Sequence, residues 1–316
     1  MTHITPILNP LENPILIPIL YRVLFVFVLG LVLIFILNKF KLKGIWKNEL
    51  GKRYLSWLVI AVVYLIFVLF GGYPVLVFLF FIMVLAIWEA KTLSKLPREF
   101  TISLYILSFV SIIVSSFYTH NFYMLPLLYF VIFGFISIRL NNKKGLGHFI
   151  LSLFLSIWII FSLSHFILLG HLNHTLDNTR SLLFLIGFTV PFADIGAYVV
   201  GKKFSKTSLN KYKIAKNISF HKTYVGIIGD ILGAGFGILI MYFAIKSYFS
   251  IFELIVLAIL IGSFASVGDL TGSLFKRYYN AKDSSSLIPG HGGILDRINS
   301  TLRVIIVVYY YMLIII

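Results

Sequence analysis

The sequence predicts an all-α, polytopic membrane protein with about nine to ten transmembrane helices. Three observations carry that expectation. Of the 316 residues, 59% are hydrophobic and only 12% are charged, about half the ~25% charged share of a soluble domain. The apolar residues gather into runs of roughly membrane-spanning length, ~17–25 residues. The cations fall almost entirely in alternate gaps between those runs, as expected when Lys and Arg accumulate in cytoplasmic loops. The 31 Phe and 18 Tyr suit lipid-facing and interfacial surfaces. The chain has no cysteine, which excludes disulfides, thiolate metal sites and a cysteine nucleophile.

The segments follow in order. The first spans 14–38. Residues 1–13 hold no Lys or Arg, so the basic region of a cleavable signal is missing, and a retained helix is expected. It ends in the basic stretch 39–53. Segments 54–71 and 73–90 form a pair closing on Lys91, Lys95 and Arg98. Segments 101–119 and 124–139 close on Arg139, Lys143 and Lys144. Segments 148–170 and 181–200 close on the stretch 201–222. Segments 224–246 and 251–272 close on 273–303, and 303–316 is the last. Several runs are near the lower length limit, so some tilt little or are half-helices.

With the N-terminus outside, all but three of the 27 Lys and Arg lie in the five inner loops, the exceptions being Arg22, Arg180 and Lys246. The formal charge of +16 is therefore topological, and no nucleic-acid partner is expected. The run Lys202, Lys203, Lys206, Lys211, Lys213 and Lys216 has two readings, as part of this bias or as an attractor of anionic headgroups or nucleotide.

The chain divides in character. Residues 1–180 form an N-terminal transmembrane half with almost no intramembrane charge. Residues 181–316 hold Asp194, Asp230, Asp269 and the polar stretch 273–299, so the catalytic half is expected there. A carboxylate in an apolar segment is expensive and usually has a task or a partner. Asp194, with Pro191 just before it, reads either as functional or as paired with a lysine. Asp269 sits among the small residues Ser266, Gly268, Thr271, Gly272 and Ser273, which suit close helix packing. Lys222 and Thr223 enter a helix as a phosphate site would. Gly229, Gly233 and Gly237, four apart, read as a packing face rather than a phosphate loop. Asp230 reads either as a buried ion-pair partner or as part of the site.

Residues 273–299 are the most informative. Lys276, Arg277, Lys282 and Arg297 offer donors to phosphate oxygens. Asp269, Asp283 and Asp296 offer hard oxygen ligands of the kind Mg²⁺ takes, usually one or two beside substrate phosphates. Pro289-Gly290 and Gly292-Gly293 break the helix and allow close backbone approach. His291 reads as a phosphate donor or acid–base group, or as a plain turn residue. Together they point to polyphosphate chemistry at the cytoplasmic face. Transport would want charges near the midplane and broken helices in paired halves. Here they gather at one face of one half.

These residues resemble the phosphatidate cytidylyltransferase family, whose signature is roughly S-x-x-K-R-x4-K-D-x-[GSA]-x2-[LIF]-P-x-H-G-G-x-x-D-R-x-D. Ser273, Lys276, Arg277, Lys282, Asp283, Ser285, Ile288, Pro289, His291, Gly292, Gly293, Asp296 and Arg297 fall in register. Asp194, Ala197, Tyr198, Gly201 and Lys202 are similar to the family's D-x-x-A-Y-x-x-G-[KR]. Ser219, Lys222, Thr223 and Gly226 are similar to its S-P-x-K-T-x-E-G, and Gly268-Asp269-Leu270 to its G-D-L. The resemblance covers about residues 185–303. Three positions depart: Phe220 replaces the proline, Val225 the glutamate and Asn299 the last aspartate.

The resemblance implies that phosphatidate attacks CTP and releases pyrophosphate, at a multi-pass protein of the inner (plasma) membrane with its site on the cytoplasmic side. It implies Lys222, Lys282, Asp283, His291 and Arg297 as catalytic residues. Substrate binding falls to Ser219, Thr223, Ser273, Lys276 and Arg277, with Gly292, Gly293, Asp194 and Tyr198. It implies Mg²⁺ on Asp269, Asp283 and Asp296, with room for a second, monovalent cation, and a homodimer. The lipid bilayer is the remaining partner. Another lipid phosphate as acceptor, or a degenerate non-catalytic homologue, stays open.

Overall fold

The computed structural model describes residues 9–13, 15–37, 49–140, 144–172, 176–204, 213–215, 219, 222–245 and 249–315. Among these the regular structure is helical. The helices are α1 (Leu16–Leu37), α2 (Glu49–Phe70), α3 (Gly72–Ser94), α4 (Arg98–Phe117), α5 (Leu125–Leu140) and α6 (Gly145–Leu155). Then come α7 (Ser162–His171), α8 (Leu176–Lys203), α9 (Tyr224–Ile245), α10 (Ile251–Tyr278) and α11 (Ile294–Ile315). Among the described residues nine stretches are long and apolar enough to cross a membrane, and α1 adds the shorter apolar stretch Leu16–Val32. The all-α, multi-pass expectation of nine to ten spans therefore holds. Lys39, Lys41, Lys43, Lys47, Lys206, Lys211 and Lys216 lie outside the described residues.

Two boundaries differ from the sequence reading in ways that matter. The segment expected at 148–170 is two α-helices joined without a break by a π-helical stretch, Ser156–Phe161. One extra residue per turn there shifts the facing side chains, as π-bulges do. The last helix begins at Ile294, not at 303, and α10 runs on to Tyr278. The polar stretch 273–299 is thus not one loop. Ser273, Lys276 and Arg277 close a helix, and Asp296, Arg297 and Asn299 open the next. The apolar periodicity of α11 is interrupted by Arg297, Asn299 and Arg303, which hid its first turns from a hydropathy reading.

The second half packs in chain order. α8 lies along α9, α9 against α10 and α10 against α11, and α11 also touches α3 and α7. Small residues set these distances. A Cβ at Gly196, Gly229 or Gly233 would overlap the backbone of the facing helix in the α8–α9 pair. Gly262 brings α10 onto the α9 backbone at Asp230 and Ile231, and Gly268 brings it onto α11 at Asn299 and Ser300. Gly229, Gly233 and Gly237 are therefore a packing face, as read from their spacing. Close approach of backbones is what places the carboxylates of α8, α9 and α10 side by side. The start of α10 is secured by a capping box, in which Ser250 and Glu253 each accept from the other's backbone N–H.

Candidate active site

Two adjoining polar groups occupy the end of the bundle where α2, α9 and α11 begin and α3, α8 and α10 end. The first is centred on Lys222. Its Nζ lies 2.9 Å from Asp269 Oδ2 and 3.8 Å from Asp230 Oδ2. Ser300 of α11 donates to Asp269 at 2.9 Å and stands 3.2 Å from Asp194. Ser266 of α10 donates to Asp230. Asp230 and Asp269 therefore converge on Lys222 from two helices, and Asp194 of a third is joined to Asp269 through Ser300. Asp230 is fully buried, with its Oδ1 unpartnered. Lys222 and Asp269 are more open, at 18% and 32% side-chain exposure. Burial works against the charge of Lys222, but Asp269 and then Asp230 outweigh it and hold the ammonium above the usual lysine range.

Thr223 has a local task. Its buried Oγ1 accepts from Gly226 N–H at 3.1 Å and caps α9. Ser219 is joined to Lys222 through the backbone, Lys222 N–H to Ser219 O at 3.4 Å. Tyr198 is exposed on α8, with Lys202 Nζ 5.7 Å from its ring centroid.

The second group is the signature segment. α10 closes with Tyr279 and Ala281 N–H both bonded to Lys276 O, and with Asn280 in the left-handed region. Lys276 pairs with Asp296, so it is occupied within the protein. Arg277 is exposed and donates to Ala281 O at 3.0 Å. Gly290 and Gly292 take φ values of 75° and 79°, which only glycine adopts at little strain. They close a tight turn, Ile288 N–H to Gly292 O at 2.7 Å. α2 holds that turn from outside: Arg53 donates to Gly290 O at 3.0 Å and Ser56 to Pro289 O at 2.8 Å.

Asp296 is the third residue of α11 and accepts from Gly293 N–H (2.9 Å), Ser284 N–H (2.8 Å) and Ser284 Oγ (2.9 Å) as well as Lys276. Glu89 of α3, which the sequence reading missed, accepts from Ser284 and Ser285 hydroxyls and from Ile294 and Leu295 N–H, at 2.7–2.8 Å. Its signal was present as the lone carboxylate inside segment 73–90, but no local pattern said what it would meet. A Cβ at Gly293 would run into Ser284 and Glu89, so glycine is required there. Lys282 and Asp283 stand exposed on the loop, and Arg297 is exposed on α11.

His291 lies between Arg297 and Arg53. Partial burial first, then those two charges, push its pKa down to about 4. It is neutral at pH 7, so it serves as a hydrogen-bonding group rather than a cationic acid. Because the unfolded chain binds this proton first, stability is lost as pH falls below about 6.5. We expect labelled-histidine NMR, assigned by the signal missing in His291→Asn, to show a neutral ring down to pH 5.5. A midpoint near pH 6.5 contradicts this.

The carboxylates expected to share Mg²⁺ do not form one ligand group. Among the described residues no three His, Cys, Asp or Glu side chains are placed to hold a metal ion. Asp296 is filled by Lys276 and by donors of Gly293 and Ser284, Asp269 is bound to Lys222 and Ser300, and Asp283 is exposed on the loop beside Gly292. The assigned trio therefore does not fit the ion as folded. Asn299, at the position of the signature's last aspartate, is buried against Gly272 with its Oδ1 unpartnered.

The chain is 36% identical over 129 residues to a phosphatidate cytidylyltransferase of Staphylococcus epidermidis, covering 41% of this chain and 47% of that protein. It is 37% identical over 136 residues to that of Haemophilus influenzae, covering 42% and 46%. It is 40% identical over 111 residues to that of Bacillus subtilis, covering 35% and 39%. The chain thus spans about half the length of the curated relatives it matches. The sequence profile of the Cytidylyltransferase family matches residues 51–315, a range that takes in α2 and α3 with the signature segment they hold. On that match, this multi-pass helical chain belongs to the cytidylyltransferase family.

Proposed function

We propose that this chain transfers the cytidylyl group of CTP to phosphatidate, giving CDP-diacylglycerol and pyrophosphate. The observation that carries the reading is the signature segment in register, folded against the Lys222–aspartate group at one end of the bundle. An oxygen of the lipid phosphate attacks the α-phosphorus of CTP. The new P–O bond forms as the α–β bridge breaks, and pyrophosphate leaves with those electrons. The barrier is the approach of two anions, so positioning and charge stabilisation do the catalysis. Lys222, Lys282 and Arg297 supply cations, and neutral His291 supplies a donor to phosphate oxygen. No side-chain nucleophile is needed, since the lipid phosphate is itself one. The cations flanking this end of the helices support a cytoplasmic site, reached by CTP from water and by lipid from the leaflet. The family resemblance adds a homodimer, which light scattering in detergent tests.

The reading is tested with purified protein, labelled CTP and a panel of lipid phosphates, with Mg²⁺ or with EDTA. Label appearing in lipid with phosphatidate supports it, and loss of label in EDTA supports a divalent-ion requirement. Val225 and Asn299 remove two acidic positions of the family pattern, which favours one second reading, transfer to a different lipid phosphate. Label in another lipid alone selects that reading. Binding of CTP without turnover selects a non-catalytic homologue.

A further inference from the structure

We propose that Glu89 of α3 is a positioning residue for the signature segment. Its carboxylate sets the backbone path of residues 284–295 and, through it, the placing of Asp283, Asp296 and Arg297. This rests on the cytidylyltransferase reading of that segment, and it assigns a role in the reaction to the N-terminal half of the chain.

The argument starts from burial. Glu89 is completely enclosed, and it follows an unbroken apolar run in α3. An enclosed carboxylate is very costly unless donors surround it. Here it has four neutral donors, two hydroxyls and two backbone N–H groups. The two N–H groups belong to the first turn of α11, which has no partners of its own for them. Glu89 therefore acts as a cap supplied by another helix, with its charge at the positive end of α11. The segment is gripped from both sides. Ser284 Oγ stands 2.7 Å from Glu89 and 2.9 Å from Asp296, with a single proton between two carboxylates. A shift of Glu89 therefore reaches Asp296 through one shared hydroxyl. Gly293 fits only because it lacks a Cβ, which would meet the Glu89 carboxylate itself. The exposed Asp283 precedes Ser284 directly in the chain and lies beside Gly292, so its placing follows theirs.

Glutamine at 89 keeps the shape but turns its amide NH₂ toward a serine hydroxyl, which can turn to accept, and toward a backbone N–H of Ile294 or Leu295, which can only donate. Aspartate keeps both acceptors on a shorter stem. We therefore expect Glu89→Gln to remain folded, with kcat reduced on the order of 10²-fold and KM for CTP changed much less. Glu89→Asp should retain an intermediate kcat. Ser285→Ala, which removes one of the four donors, should cost only a few-fold. The readout independent of turnover is amide hydrogen exchange. In Glu89→Gln, Ile294 and Leu295 should exchange at least about tenfold faster while α4 and α5 stay unchanged.

Full turnover in folded Glu89→Gln, or unchanged exchange at Ile294 and Leu295, overturns the proposal. Faster exchange spread through α4 and α5 also overturns it, because Glu89 would then be a general stability residue. If Glu89→Gln does not fold, the graded series Glu89→Asp and Ser285→Ala decides on the same measurements. If the wild-type protein transfers no label, the cytidylyltransferase reading fails, and the exchange data still decide whether Glu89 holds the segment.

Discussion

Replacing Lys222 with methionine should abolish cytidylyl transfer and destabilise the protein by about 3 kcal/mol, the lower end for breaking a buried charge group. Lys222 stands among carboxylates contributed by α8, α9 and α10, and its side chain is 18% exposed, so screening trims the effect without removing it. Without the ammonium, buried Asp230 retains only Ser266, and its second oxygen remains unpartnered. Methionine has the length to fill the space, which separates loss of charge from loss of packing. The double variant Lys222→Met with Asp230→Asn should recover about 1–2 kcal/mol of the loss, because the uncompensated charge is gone. It should not recover activity. Because its folded pKa is raised, the contribution of Lys222 is complete at neutral pH. It fades only as pH climbs past the lysine range. Thermal unfolding in detergent measures both variants, and a Lys222→Met protein as stable as wild type contradicts the electrostatic account.

Asp296→Asn and Asp283→Asn should differ sharply, although both aspartates belong to the same signature. Asp296 accepts from Lys276, Gly293 and Ser284. An amide there leaves Lys276 without its counter-charge and points its NH₂ at the Gly293 and Ser284 N–H donors, costing about 2–4 kcal/mol along with all activity. Loss of turnover in Asp296→Asn is therefore not evidence of a metal ligand. Asp283 is exposed on the loop, so its amide variant should change stability by less than about 0.5 kcal/mol. A large drop in turnover in Asp283→Asn then reports contact with substrate or ion. Wild-type turnover in Asp283→Asn removes it from the catalytic set. The two proteins can be compared in one experiment, with unfolding temperature set beside transfer rate.

Most of the architecture was legible from composition and order. Apolar runs of spanning length must be helical in a bilayer, because no other backbone form satisfies its own hydrogen bonds there. The alternate placement of cations supports the count and the direction. The glycine face at 229, 233 and 237 is legible for the same reason, a spacing that only a helix makes into a surface. The signature residues were legible as chemistry, because cations, carboxylates and glycines have no other reason to crowd into an apolar chain.

What the linear chain could not reveal was partnership. Asp194, Asp230 and Asp269 are far apart in sequence, and their meeting around Lys222 and Ser300 depends on backbones brought into contact at Gly196, Gly229, Gly262 and Gly268. Lys276 and Asp296 looked like ligands for phosphate and metal, and folding pairs them with each other. Glu89 looked like one acid in one hydrophobic helix, and packing makes it the cap of a helix some two hundred residues away. The physical reason is common to all three. Burial, helix formation and membrane topology follow from local pattern and from the solvent, whereas the neighbours of a buried charge follow from how helices pack. The sequence supplied the polar residues that gather at this end of the bundle, and the packing of α2, α3 and α8–α11 decided which of them pair with one another.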